Sequence, residues 1–158
     1  AVGNLPLVGA FMGIAEAAHD IALKKIAGAT RAGNSVTANS GVQHLVGEAE
    51  IELAQCRAIL AAAGRATDDF MARSLTSPPS EADGHRLMKD YQAAKWVVNR
   101  GAIDIVSKAM DLLGGAGYTN AHPLARLYRD VRAGPFMQPF SPTEAREYIG
   151  KTALGLWA

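Results

Sequence analysis

The chain of 158 residues has the length of one domain, and its 16 basic and 15 acidic residues nearly cancel. No basic stripe or patch of interleaved aromatic residues is present, so we expect no nucleic-acid partner. The single cysteine, Cys56, excludes an internal disulfide and a cysteine-based metal site. The scattered histidines lack the spacing of metal ligands, so we predict no metal site. We expect Cys56 in the core of a cytoplasmic protein.

The apolar stretch LPLVGAFMGIAEAA, residues 5–18, could be mistaken for a signal sequence or a membrane span. It has no basic flank before it, it is interrupted by Glu16, and it is shorter than the roughly 20 residues that cross a bilayer. We therefore interpret this stretch as a core helix and expect no membrane association.

Helical periodicity predicts four long segments, and no stretch alternates as a strand does. The predicted ranges are 4–27, 38–72, 81–113 and 141–156. Apolar residues follow a three-four rhythm in the second helix (Val42, Leu45, Val46, Ala49, Leu53, Cys56, Leu60, Ala63) and in the third (Tyr91, Ala94, Val98, Gly101, Ile105, Ala109, Leu112). The sequence thus predicts an all-α, antiparallel up-down four-helix bundle that forms one domain over residues 1–158.

Two helix starts carry capping signals. Ser80 precedes Asp83 by three positions, and Ser141 precedes Glu144 in the same way, which is typical of a capping box. Pro142 also fits the first position of a helix. The first helix is apolar on nearly all sides, and we expect its surplus of apolar surface to bind a partner.

The stretch LLGGAGYTNAHPLARLYRD, residues 112–130, follows the third helix. Gly114 is a plausible left-handed terminator, so a helix end and a tight turn explain the glycines without a ligand. Alternatively, residues without side chains let the backbone approach a phosphate closely. Spacing alone leaves both interpretations open, and the pattern is neither a dinucleotide fingerprint nor a P-loop.

The segment GGAGYTNAHPLARLYRD closely resembles the carboxy-terminal helical domain of acyl-CoA dehydrogenases and their flavin-dependent relatives. In that family a Gly-Gly-x-Gly-aromatic segment ends a long helix and precedes a Pro-x-x-basic-x-x-Arg-Asp run, here Pro123, Arg126, Arg129 and Asp130. The resemblance implies a three-part flavoenzyme whose amino-terminal helical and central β domains lie outside this chain. It also implies a dimer or tetramer in which the glycine loop of one subunit reaches the FAD held by another.

The same resemblance implies which residues contact FAD. The expected contacts are Arg31, Asp111, Gly114, Gly115 and Gly117. Two departures affect this set, because Asp111 replaces the family's glutamine, and Asn34 and Ser35 replace the phenylalanine and glycine that usually follow the arginine. Tyr118 is expected to pack, and His122 to order the turn. Arg129 and Asp130 are expected to pair with one another or with helix ends.

The family's catalytic glutamate falls on Gln138 when positions are counted without gaps from Arg129 and Asp130. A register anchored on the last helix puts Phe140 there instead. Neither side chain can act as a general base. Some relatives carry the base on the first helix, but Glu16 and Asp20 lie further along that helix than this role requires.

Three functions therefore stay open. The first is the carboxy-terminal domain of an FAD-dependent acyl-CoA dehydrogenase-like oxidoreductase, which oxidises a CH–CH bond of an acyl thioester. The second is the same bundle in a two-component flavin-dependent monooxygenase, and the third is a bundle that only mediates assembly. In each case we expect the 158-residue chain alone to be inactive and to bind FAD very weakly.

Overall fold

The computed structural model describes residues 5–156 and confirms an all-α fold. Two antiparallel two-residue strands, β1 (Thr30–Arg31) and β2 (Asn34–Ser35), join the first two helices. Single 3-10 turns lie at Val36–Ala38 and Gly134–Phe136. The helices are α1 (Leu5–Ile26), α2 (Ser40–Ser74), α3 (Glu81–Leu113), α4 (Gly115–Tyr118), α5 (Pro123–Val131) and α6 (Pro142–Ala153).

The predicted ranges of the long helices agree with these bounds to within about three residues, and the third agrees at both ends. Residue 4, the first of the predicted first helix, lies outside the described residues. Two short helices, α4 and α5, were not predicted as helices. Helix α5 has nine residues and begins at Pro123, where the His122 ring accepts a hydrogen bond from the Leu124 amide. That contact confirms His122 as the residue that orders the turn.

Both predicted capping boxes are present. The Ser80 hydroxyl accepts from the Asp83 amide, and the Asp83 carboxylate accepts from the Ser80 amide. Ser141 and Glu144 repeat this exchange at the start of α6. The Ser80 hydroxyl also donates to the Asp83 carboxylate at 2.6 Å, and this bond, followed by that from the Ser80 amide, lowers the pKa of Asp83. The bond from the Ser141 amide lowers the pKa of Glu144 in the same way.

Helix α3 lies at the centre of the bundle and contacts α1, α2, α5 and α6. Its predicted apolar residues are buried, apart from Leu112, which is half-buried. Cys56 is fully buried on the facing side of α2, and burial raises the pKa of its thiol to about 11. Gly101 lets α2 and α3 approach at this point, because a Cβ on Gly101 would lie 2.5 Å from the Cys56 Sγ atom.

Side-chain contacts show the direction of each helix. Arg57 on α2 donates to Glu16 at 2.8 Å, and His19 contacts Glu50 at 2.9 Å, so α1 and α2 are antiparallel. Gly101 faces Cys56, and Lys108, further along α3, contacts Glu52, earlier on α2, at 3.0 Å, so α3 runs antiparallel to α2. Helices α1 and α3 therefore run in the same direction and end at the same end of the bundle.

Helix α1 has 22 residues, and by length and composition alone it could cross a membrane. It is longer than the 14-residue stretch singled out in the sequence. One face packs into the bundle and buries eight residues: Val8, Phe11, Met12, Ala15, Ala18, His19, Ala22 and Ile26.

Among the long helices, α2 exposes more large apolar side chains than α1, for which a surplus of apolar surface was expected. Only Leu7 among the large apolar residues of α1 is exposed, whereas Ile51 and Met71 of α2 are 62% and 50% exposed. Helix α2 buries five of its 35 residues. The physical reason is its position at the edge of the bundle, where one face packs and the opposite face has no neighbour within residues 5–156.

Candidate functional site

Each glycine after α3 occupies a different environment. Gly114 ends the helix with φ of +61°, a conformation that side chains disfavour, as predicted. Gly117 is buried, and a Cβ there would lie 3.1 Å from Leu113 and 3.2 Å from Leu124. Gly115 has open space around it and an ordinary φ. Chain geometry and packing explain Gly114 and Gly117, whereas nothing within the described chain requires glycine at position 115.

Arg31 lies at the same end of the bundle as this glycine turn. It is exposed in the hairpin between α1 and α2, where Ala32 and Gly33 both have positive φ. Arg31, Asn34 and Asn39 line an open groove of about 520 Å³. Asp111 is exposed in the last turn of α3. The structure thus places all five residues expected to contact the cofactor at one end of the bundle, and their role stays a prediction.

The basic run after the glycines is exposed along α5. Asp130 pairs with Arg126, one turn earlier on α5, at 3.8 Å. It does not pair with Arg129, which was one of the two expected arrangements. Tyr118 is 77% exposed, so the expectation that it packs within this chain is wrong. Tyr118 is the last residue of the four-residue helix α4, which buries Gly117 instead.

The loop between α5 and α6, residues 132–141, carries the exposed side chain of Gln138. Two buried polar side chains on α3 hold this loop. The Lys95 ammonium donates to the carbonyl oxygens of Met137 and Phe140, and the Asn99 amide donates to the carbonyl of Gly134 at 2.9 Å. The backbone on both sides of Gln138 is therefore fixed from the core of the bundle.

Lys95 is 6% exposed, and desolvation lowers the pKa of its ammonium, while the nearby Glu144 carboxylate opposes that shift. Neither Lys95 nor Asn99 was expected at the site from the sequence. A signal was present, because both interrupt the buried apolar face of α3 next to Ala94 and Val98, and buried polar groups need partners.

One acidic side chain, that of Glu144, contacts this loop, where its carboxylate accepts a hydrogen bond from the Ser141 amide at 2.8 Å. Residues 132–141 contain no aspartate or glutamate, and Glu144 caps its own helix. Pro139 shares a small cavity with Leu5 and Val8 of α1. Glu16 lies eight residues beyond Val8, about 12 Å along the helix, and pairs with Arg57. Within one chain Glu16 is therefore remote from the loop, and the absence of a base at Gln138 and on α1 stays a prediction.

A second cavity, of about 170 Å³, lies beneath this loop between α3 and α6. Its lining includes Trp96, Arg100, Arg132, Phe136 and Phe140. The loop and the glycine turn contact different parts of α3, and Lys95 precedes Leu113 by about 27 Å along the helix axis. Within one chain, the structure therefore does not bring Gln138 together with Gly114, Gly115 and Gly117.

Among residues 5–156, no group of three His, Cys, Asp or Glu side chains could hold a metal ion.

Several proteins of similar structure are named as flavoproteins or were solved with a bound flavin. The chain is 41% identical over 154 residues to an amino sugar nitrososynthase of Streptomyces peucetius, covering 98% of this chain and 36% of that protein. The crystal structure of a nitrososynthase from Micromonospora carbonacea var. africana aligns with a TM-score of 0.85 at 38% identity, covering 98% of this chain and 40% of that one.

KijD3, solved in complex with FMN and dTDP-3-amino-2,3,6-trideoxy-4-keto-3-methyl-D-glucose, aligns with a TM-score of 0.87 at 36% identity, over 99% of this chain and 37% of that one. The chain spans little more than a third of the curated nitrososynthases that it matches. The family model of the acyl-CoA dehydrogenase C-terminal domain matches residues 2–138, which include α1 to α5 and the glycine turn. The chain therefore belongs to the acyl-CoA dehydrogenase family and has the fold of its carboxy-terminal domain.

Proposed function

We propose that the full-length polypeptide containing this bundle is a flavin-dependent oxidoreductase that oxidises the amino nitrogen of an amino sugar. The observation that carries the proposal is the loop at residues 132–141, which has no carboxylate where an acyl-CoA dehydrogenase needs a base. The names of the similar proteins, amino sugar nitrososynthases, support the same reaction. The proposal is a refinement of the flavin-dependent monooxygenase among the three functions inferred from the sequence.

The chemistry fits a site without a general base. An amine nitrogen carries its own lone pair, whereas the α-carbon of a thioester must first lose a proton to a base. The reaction has two steps, each of which consumes one dioxygen, and a reduced flavin, when bound, would supply two electrons for each. The first step adds one oxygen atom to the nitrogen and releases one water, which gives a hydroxylamine. The second step removes two hydrogens from the hydroxylamine and releases two waters, which gives the nitroso group.

The exposed end of the bundle fits a flavin, either FMN or FAD. Open space at Gly115 admits the backbone to a phosphate, and Arg31 offers a guanidinium at the same end. The Asp111 carboxylate can accept a hydrogen bond from a ribityl or ribose hydroxyl but would repel a phosphate. The isoalloxazine ring would need the domain that precedes the bundle in the family, so we expect the isolated chain to be inactive.

Substitution of Gly115 tests the flavin contact. We expect Gly115→Val in the full-length protein to weaken flavin binding by about tenfold or more, because the side chain fills the open space beside the backbone. The free energy of unfolding should change by less than about 0.5 kcal/mol, since no atom lies within 4 Å of the position that a Cβ on residue 115 would take. Flavin fluorescence titration and urea unfolding measure the two effects.

Gly117→Val is the matched comparison. It places a side chain against Leu113 and Leu124, so it should lower the free energy of unfolding even without flavin. Unchanged flavin affinity in Gly115→Val would contradict the cofactor contact at this turn.

The product assay tests the proposed reaction. Full-length protein, supplied with reduced flavin and oxygen, should convert the dTDP-linked amino sugar named above into a product with one more oxygen and two fewer hydrogens. Incubation with acyl-CoAs in the absence of oxygen should leave the oxidised flavin unbleached. Bleaching by a thioester, without oxidation of the amine, would contradict the proposal.

Acyl thioester oxidation is the second candidate, because the family match extends over the glycine turn and α5. It requires a base from a part of the full-length protein outside residues 5–156, or from an acid that moves to the loop. The anaerobic arm of the assay decides between the two reactions. If the bundle served only assembly, neither the amino sugar would be oxidised in the presence of oxygen nor the flavin bleached by an acyl-CoA in its absence.

We also propose that the full-length protein self-associates through α2. Ile51 and Met71 are exposed there, and the outer face of α2 has no neighbour within the described chain. Whether the assembly is a dimer or a tetramer follows from its mass in solution. Cytoplasmic localisation and the absence of nucleic-acid and membrane partners stay predictions.

A further inference from the structure

The side chain of Gln138 extends from the α5–α6 loop without a partner in the described chain. It is exposed, it lines neither of the two cavities beside the loop, and its amide forms no hydrogen bond within residues 5–156. A glutamine amide offers one acceptor oxygen and two N–H donors, and it carries no charge. Gln138 is therefore available for a contact with a bound molecule.

The backbone that carries Gln138 is held from the core of the bundle. The Lys95 ammonium donates to the Met137 carbonyl on one side of Gln138 and to the Phe140 carbonyl on the other. Lys95 is itself 6% exposed, so packing restricts its side chain. A loop that is held before binding loses little conformational entropy when a ligand arrives, which favours a defined contact at Gln138.

Positive charges predominate around this loop. Lys95 and Arg100 of α3 and Arg132 at the end of α5 line the cavity beneath it. Helix α6 contributes Arg146, whose guanidinium lies over a tryptophan ring of α3, and the carboxylate of Glu144, which caps its own helix. Four cations therefore oppose this carboxylate.

Other carboxylates of the neighbouring helices are paired or lie further away. Residues 5–15 of α1, which include the part that meets the loop, contain no charged side chain. Asp130 of α5 pairs with Arg126. On α3, Asp90 lines a different groove, which faces α2, and Asp104 lies nine residues beyond the buried lysine, about 14 Å along the helix. A cationic group at the loop would thus meet mostly like charges, which lower the pKa of such a group.

Oxidation of an amino nitrogen requires such surroundings. An aliphatic amine in water is largely an ammonium ion at neutral pH, since a lysine side chain has a pKa of about 10.4, and an ammonium ion has no lone pair to accept oxygen. A carboxylate beside the nitrogen would stabilise the ion and raise the pKa of the amine. A neutral amide oxygen can accept a hydrogen bond from the nitrogen without adding an opposite charge.

We propose that Gln138 binds the amino group that is oxidised: its amide oxygen accepts a hydrogen bond from the nitrogen, and its lack of charge leaves the lone pair free. The inference rests on the proposed function and names the residue that determines which chemistry the loop permits. The register counted from Arg129 and Asp130 puts the glutamate base of acyl-CoA dehydrogenases at this position. The position then holds a base where a C–H proton is removed and a neutral amide where a nitrogen is oxidised.

The test compares the full-length, flavin-loaded wild type with Gln138→Glu and Gln138→Met. The probe is the dTDP-linked amino sugar named above with nitrogen-15 in its amino group, and the flavin is kept oxidised so that no turnover occurs. Nitrogen NMR as a function of pH gives the pKa of the bound amine. Gln138→Glu should raise that pKa by about one pH unit or more, because an opposite charge within about 4–6 Å has an effect of this size.

Gln138→Met is the neutral comparison, because methionine is of similar length but lacks the amide. It should leave the pKa of the bound amine unchanged and weaken binding of the amino sugar by about fivefold, which corresponds to the loss of one hydrogen bond.

Turnover gives the second measurement. The pH at which amine oxidation reaches half of its maximal rate should rise in Gln138→Glu, so the rate at pH 7 should fall by about tenfold or more. Gln138→Asn keeps an amide and should follow the wild-type pH profile. Ser77→Glu is the control for the added charge, because Ser77 is exposed in the turn before α3, and Glu81 at the start of α3 lies about 21 Å along the helix from Lys95.

An unchanged pKa of the bound amine in Gln138→Glu would overturn the inference, since the new carboxylate would then lie away from the nitrogen. An equal rise in Ser77→Glu would also overturn it, because the effect would then come from the net charge of the protein. A raised pKa in Gln138→Glu alone upholds the contact even if the amine is never oxidised. Oxidation of the amine without that rise upholds the proposed function alone, so the two proposals fail separately.

Discussion

Lys95→Met is expected to lower the free energy of unfolding by about 2–4 kcal/mol. The substitution keeps the length and apolar stem of the side chain but removes both hydrogen bonds to the α5–α6 loop. Losing a charge-assisted hydrogen bond costs about 1.5–3 kcal/mol, and relief of the buried charge offsets part of the sum. Urea unfolding of the wild type and the variant measures the difference.

The same substitution should abolish product formation in the full-length protein while flavin binding is kept. The loop that loses its two contacts carries Gln138 and forms one wall of the cavity between α3 and α6, whereas the glycine turn lies about 27 Å away along α3. Lys89→Met is the matched control, because Lys89 pairs with its sequence neighbour Asp90 at 3.5 Å and has no other ion pair within residues 5–156. We expect the control to change stability by less than about 0.5 kcal/mol. If Lys95→Met and Lys89→Met lost product formation equally, the role of Lys95 in holding the α5–α6 loop would be contradicted.

Gly101→Ala is expected to lower the free energy of unfolding by about 1–3 kcal/mol, although alanine has the higher helix propensity. The new methyl group would overlap the Sγ atom of Cys56, which is fully buried, so the thiol or its packed neighbours must shift. The expected sign is therefore the opposite of that for an open helical glycine. Gly47→Ala on α2, where nothing lies within 4 Å, should be neutral or stabilising by up to about 1 kcal/mol.

A double-mutant cycle isolates the overlap. Cys56→Ala removes the Sγ atom, so the cost of Gly101→Ala should fall by about 1 kcal/mol or more in that background. If the effects of the two substitutions on the free energy of unfolding were additive, the overlap with the Cys56 Sγ atom would not be the cause of the loss in Gly101→Ala.

The long helices could be predicted because their signals are local. The apolar stripes of α2 and α3 and the two serine caps lie within single segments, and each is present in the structure. Helix α5 could not be predicted from periodicity, since nine residues that begin at a proline give little repeat to detect. Helix α5 is attached to the bundle by the packing of Leu124 and Val131, which are fully buried.

The cavity under the α5–α6 loop was not predictable for a different reason. The hydrogen-bond partners of Lys95 and Asn99 are backbone carbonyls 35 to 45 residues away in the sequence, so no local pattern indicates these contacts. The glycine turn was recognised through its resemblance to a family, which supplied the fold and the expected cofactor. The loop sequence at Gln138 indicated that the family's usual base was missing, and the substrate had to be inferred from elsewhere.

The most direct test of the central claim, oxidation of an amino nitrogen with dioxygen, is an isotope experiment. The full-length protein is given reduced flavin, the nucleotide-linked amino sugar and isotopically heavy dioxygen, and the oxidised products are examined by mass spectrometry. The account predicts one heavy oxygen atom on the nitrogen of the hydroxylamine. Oxygen drawn from water, or a product altered only at carbon, would contradict it.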